Sequence, residues 1–125
     1  MSKRFASATM AALLMTFEAG AQGPSAPKLT CDRGPVADKT YGGTAWNVYG
    51  CNDNRSVAIV SAAGSPAMPF YFLLFAEANG QYTLSGEGTG RQEFTRKAYD
   101  ELSRLTPQEI DGLVRQARKA SSPNQ

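Results

Sequence analysis

The chain has 125 residues, with 13 basic and 11 acidic side chains, two cysteines and no histidine. Near-neutral charge removes the electrostatic reason to seek nucleic acid or an anionic membrane as partner. The missing histidine removes Ser-His-Asp and Cys-His nucleophilic systems and the commonest transition-metal ligand, so neither a metal site nor a cofactor is expected.

At the N-terminus, Lys3 and Arg4 precede an uncharged run from Ala6 to Phe17, and Ala19-Gly20-Ala21 supplies small residues. A basic start, an apolar core and a small-residue end make a secretory signal peptide, expected over residues 1–21. The apolar run is too short to span a bilayer, which takes about 20 residues. Cleavage leaves about a hundred residues, enough for one domain with a modest core. No later apolar run predicts an integral membrane segment, so a soluble periplasmic or secreted protein is expected. In an oxidising compartment Cys31 and Cys51 predict a structural disulfide rather than a metal or redox pair.

Residues 22–40 read as a flexible tether followed by a loop that the disulfide anchors. Gln22–Pro27 is rich in Pro, Gly and Ser, and Gly34-Pro35 lies in a stretch short of apolar residues. The folded domain is expected over residues 41–120. Its first strand begins near Thr44, with Trp46 and Val48 on one face by the period-two rule. Asn52-Asp53-Asn54 is turn chemistry, and residues 56–61 form the returning strand. Gly64–Pro69 carries two prolines and reads as a loop. Phe70–Phe75 is apolar on both faces, which predicts a strand covered on each side or packed under helices. Asn79-Gly80 signals a type I′ hairpin turn, and residues 81–85 return from it.

Beyond Gly90 the period becomes helical. Thr95 is the expected N-cap of a first helix, with Ala98, Leu102 and Leu105 on its apolar stripe. Thr106, Pro107 and Glu109 form a capping box with Pro at N1 for a second helix. Ile110, Leu113, Val114 and Ala117 fall on one face of that helix. Gly112 inside it suggests close packing. Residues 121–125 read as a disordered tail. The expected fold is α+β in two layers: a four-stranded antiparallel sheet of two hairpins followed by a C-terminal pair of helices, ββββαα.

Two places can carry function. The first is an interaction surface made by Tyr41, Asn47, Tyr49 and Met68, because Tyr, Met and a permissive backbone suit protein contacts. The second is the segment Ser85–Arg91. There Gly86, Gly88 and Gly90 alternate before a helix, as in loops that bring backbone N–H groups to an anion, and Glu87 and Arg91 could act in a pocket. The spacing departs from the dinucleotide fingerprint, and no Walker lysine follows. No catalytic motif is expected. The leading expectation is therefore a non-enzymatic exported domain that binds an envelope or extracellular protein. The alternatives are a small-ligand protein or enzyme built on Ser85–Arg91, and an inhibitor of a secreted or cell-wall hydrolase. The oligomeric state is not fixed by these patterns.

Overall fold

A computed structural model describes residues 28–122. The expected signal peptide and residues 22–27 of the expected tether lie outside the described residues. Five strands and two helices follow in order: β1 (Arg33–Tyr41), β2 (Thr44–Gly50), β3 (Val57–Ser61), β4 (Phe70–Ala76), β5 (Tyr82–Gly88), α1 (Gln92–Leu102) and α2 (Pro107–Ala120). The strands form one antiparallel sheet in sequence order, β1-β2-β3-β4-β5. Both expected hairpins are present, and a third joins β1 to β2.

The sheet thus has five strands where four were expected. Arg33–Tyr41, expected as tether and loop, is an edge strand. Its register with β2 shifts on both sides of Val36, and Asp38 has φ 60°. An edge strand needs hydrogen bonds on one side only, so Pro35 is tolerated there. The bulges also break the alternation by which a strand is recognised. The type I′ turn falls at Gly42-Gly43, where φ is 63° and 80° and Tyr41 pairs with Thr44. Asn79-Gly80 instead belongs to a three-residue loop. Glu77 N–H donates to Gln81 O at 2.8 Å, and Gly80 alone of the pair has positive φ. That geometry suits a type I turn completed by a left-handed glycine.

Both helices cover one face of the sheet. The core between the layers holds Trp46, Val48, Ile59, Phe72, Leu74, Leu102, Ile110, Leu113 and Val114, all buried. Trp46 is wholly buried, its indole N–H donates to Tyr41 O at 2.8 Å, and its ring lies 5.3 Å from that of Phe72. The stripe of α2 is buried as its spacing requires. Its capping box is complete, with Glu109 N–H donating to the Thr106 hydroxyl at 3.1 Å and Thr106 N–H donating to Glu109 at 2.8 Å.

The first helix starts earlier than expected. Arg91 is its N-cap, and Thr95 is a buried residue of its first turns. No side chain caps this end. The chain is instead fixed by packing: a Cβ on Gly90 would sit 1.8 Å from Ala67 O. Gly112 is not a close-packing site, since the nearest atom to a Cβ there is the far end of Arg115, at 3.9 Å.

The cysteines are bonded to each other. Cys31 precedes β1 and Cys51 follows β2, so the bond closes the open end of their hairpin, opposite the Gly42-Gly43 turn. A loop of 20 residues is closed, which the chain-entropy account makes worth on the order of 3 kcal/mol. Asn52 reinforces this end: its side chain accepts from Thr30 N–H and donates to Lys28 O.

Candidate functional site

The second face of the sheet is open. Paired residues share a face, so the register places Asn47, Val60, Tyr71 and Glu87 in one row across β2 to β5. Tyr49, Ala58, Leu73 and Ser85 make the next row, and Phe75 with Thr83 begins a third. On β4 the inward residues Phe72 and Leu74 are buried under the helices, whereas Tyr71 is 44% and Phe75 38% exposed. The double-sided apolar pattern of Phe70–Phe75 is real, but among the described residues only one of its faces is covered. Leu73, Val60 and Tyr49 between them are half-buried by their neighbours in the sheet.

A shallow groove of about 490 Å³ ends this face where β4 begins. Met68, which is 50% exposed, lines it with Val60, Pro69, Tyr71 and Glu87. Ser61 holds the rim in place, its hydroxyl accepting from Phe70 N–H at 3.1 Å. At the opposite end Leu29, Arg55 and Phe75 border a second depression of about 600 Å³. The rows between these ends carry Tyr49, Val60, Tyr71, Leu73, Ala58 and Phe75 at the centre, flanked by Asn47 on β2 and by Thr83, Ser85 and the charged Glu87 on β5.

Of the residues expected to make an interaction surface, Asn47, Tyr49 and Met68 fall on this face. Tyr41 does not. It pairs with Thr44 on the helix side, where it is half-buried against the core. Burial first, then the charges of Glu101 and Glu109, push its phenol above the ordinary 10.0. Tyr71, Leu73 and Phe75 were missed because their strand was expected to be covered on both sides. The doubled apolar pattern that held the signal was assigned to the core.

Ser85–Arg91 is mostly strand rather than loop. Ser85 to Gly88 belongs to β5, and the glycines admit neighbouring groups of this chain. A Cβ on Gly86 would lie 2.8 Å from ring atoms of Phe70 and Phe72. Glu87 points to the open face and accepts from the Tyr71 hydroxyl at 3.0 Å. That hydrogen bond, the carboxylate's charge and slight desolvation, in that order, raise the Tyr71 phenol above 10.0. Arg91 turns elsewhere, pairing with Glu93 at 3.0 Å and lying 5.2 Å from the centre of the Phe94 ring. Glu87 and Arg91 therefore share no pocket.

Among the described residues, no group of three or more Asp, Glu or Cys side chains is placed to hold a metal ion. No buried side-chain polar atom there lacks a hydrogen-bond partner. No helix there is long and apolar enough to cross a membrane. No protein-family model, curated protein or solved structure matches the chain.

Proposed function

We propose that this chain is an exported, non-enzymatic binding domain whose contact surface is the open face of its sheet. The observation that carries this reading is the apolar surface of Tyr49, Val60, Tyr71, Leu73 and Phe75, left uncovered by the two helices. Monomeric soluble proteins seldom expose a large contiguous apolar patch without a use for it. Aromatic and aliphatic residues at the centre, with Met68 at one end and Glu87 at a margin, suit a protein-binding interface. The face is made of paired strands, with the Cys31–Cys51 bond closing one end of the β1–β2 hairpin. That bond is compatible with an oxidising compartment, which supports an envelope or extracellular partner.

The test is capture of envelope proteins by the purified chain and by a Tyr71→Ser, Phe75→Ser variant. Both side chains point outward, so the variant is expected to keep its stability within about 1 kcal/mol. Its captured partner should be lost or reduced at least about tenfold, the loss of one well-placed anchor. Equal capture by the folded variant would contradict the proposal.

A further inference from the structure

The two edges of the sheet are built differently. β1 is interrupted by Pro35, by register shifts on both sides of Val36 and by the positive φ of Asp38. Such irregularities spoil an edge as a template for another strand. β5 contains neither proline nor lysine and runs against β4 without a register shift; its one positive φ, 144° at Gly88, falls on its last residue and leaves the pairing with Phe70 intact.

The ladder determines which backbone groups of β5 are already used. Glu77 N–H donates to Gln81 O at one end of the hairpin, and Thr89 N–H donates to Pro69 O at 2.9 Å at the other. Hydrogen-bonded and non-bonded pairs alternate along an antiparallel ladder. Both end bonds fall on odd-numbered residues, so Thr83, Ser85 and Glu87 bond β4. Tyr82, Leu84, Gly86 and Gly88 turn their amides and carbonyls to the open edge. These four share the helix side of the sheet. Two carry large side chains, and two carry none.

We propose that this edge pairs with β5 of a second copy of the chain, antiparallel about a two-fold axis through Ser85. That register sets Leu84 opposite Gly86, and Tyr82 opposite Gly88, of the second copy. Every such pair joins residues whose groups face outward, giving about eight inter-chain hydrogen bonds, two for each of four pairs. A register displaced by two residues strands either Tyr82 or Gly88. A shift of one sets outward groups against groups already bonded to β4. The side chains agree with the same register. Tyr82 and Leu84 lie over positions without side chains, beside the Phe70 and Phe72 rings that lean across Gly86. The contact is self-complementary, as a two-fold interface must be.

The axis stands normal to the sheet, so both pairs of helices lie on one side. The two open faces lie together on the other side. The edge pairing does not depend on what those faces bind.

Protein purified from cells expressing the full chain provides the test. Sedimentation should give twice the chain's mass, with dissociation on dilution. The cysteines in the described residues are both paired, so introduced thiols report the register. Ser85→Cys should form a disulfide-linked dimer at least about tenfold faster than Thr83→Cys, because only position 85 meets itself across a close non-bonded pair. Thr83→Cys mixed with Glu87→Cys should link to each other. Should a variant fail to fold, hydrogen exchange on the unaltered protein replaces it: the Leu84 and Gly86 amides should slow as concentration rises. A monomer at every concentration overturns the proposal. So does a dimer that links faster through Asn47→Cys on the open face than through Ser85→Cys, or edge amides that do not respond to concentration.

Discussion

At the scale of single residues, the structure separates groups that look alike in the sequence. Tyr41 and Tyr71 both have raised phenol pKa values, for different reasons. Tyr41 is raised mainly by burial, and Tyr71 by the Glu87 carboxylate. Ultraviolet titration should show Glu87→Gln returning the Tyr71 phenol toward 10.0 while Tyr41 stays high. The stability consequences have definite signs. A phenol whose pKa is higher folded than unfolded contributes in full below pH 10.0, and that contribution is lost as pH rises through the folded value. Tyr41→Phe should remove this alkaline loss from a denaturation series. Asp53 behaves oppositely. Desolvation raises its carboxyl, but the Ser56 hydroxyl and amide, the Arg55 amide and the Arg55 charge outweigh it and hold the pKa below 3.8. Its contribution is whole above pH 3.8 and is lost as pH falls through the folded value. Asp53→Asn should abolish that acid-side loss, read by the same series.

Glycines give a second contrast among residues. Gly112 is a helix-interior glycine with open space around it, so Gly112→Ala should stabilise the protein by about 1 kcal/mol. Gly42 has φ 63°, and a Cβ there would meet Ala98 N at 2.5 Å. Gly42→Ala should therefore cost at least about 2 kcal/mol, from left-handed strain plus a clash with the α1 backbone. Urea denaturation of the two variants would show opposite shifts in midpoint.

Among elements, those with a local physical signature were legible. The capping box of α2 and the spacing of its stripe needed nothing beyond nearest neighbours. Trp46 and Val48 were assigned to the core by alternation, and Cys31 and Cys51 by compartment. β1 was not legible, because its pairing partner supplies what its own composition lacks. Bulges and Pro35 hide the alternation, and only the ladder with β2 makes Arg33–Tyr41 a strand. The start of α1 was hidden for a related reason. Arg91 has no capping side chain, and the helix begins where Gly90 meets Ala67, a contact between distant segments. The β2–β3 turn is a local element with a long-range tie. The Ser56 hydroxyl donates to Asp53 at 2.6 Å and accepts from the Ala76 amide at 2.8 Å. Ser56→Ala would leave that buried amide unpaired, so a loss of about 1–3 kcal/mol is expected in thermal or urea unfolding.

For the whole molecule, the two-layer plan follows from one sheet burying one face under two helices. The remaining face decides the functional reading. Asn47 and Tyr49 were legible as outward-facing because the alternating Trp46 and Val48 were plainly core, and Met68 because it lies in the loop before Phe70. Tyr71, Leu73 and Phe75 were not, since an apolar residue on either side of a strand carries the same pattern whether a helix or a partner covers it. The Ser85–Arg91 segment is ambiguous in sequence for a comparable reason: a glycine that admits Phe70 and Phe72 resembles a glycine that admits a phosphate. On the proposed reading, the open face is covered by another protein in the compartment where the chain works.

A photoreactive phenylalanine analogue placed at Tyr71, and separately at exposed Tyr99 on α1, tests that claim inside the cell. A discrete adduct with a different protein is expected from position 71, and none of comparable yield from position 99. Adducts from position 99 alone, or from position 71 only with a second copy of the chain, would contradict that claim.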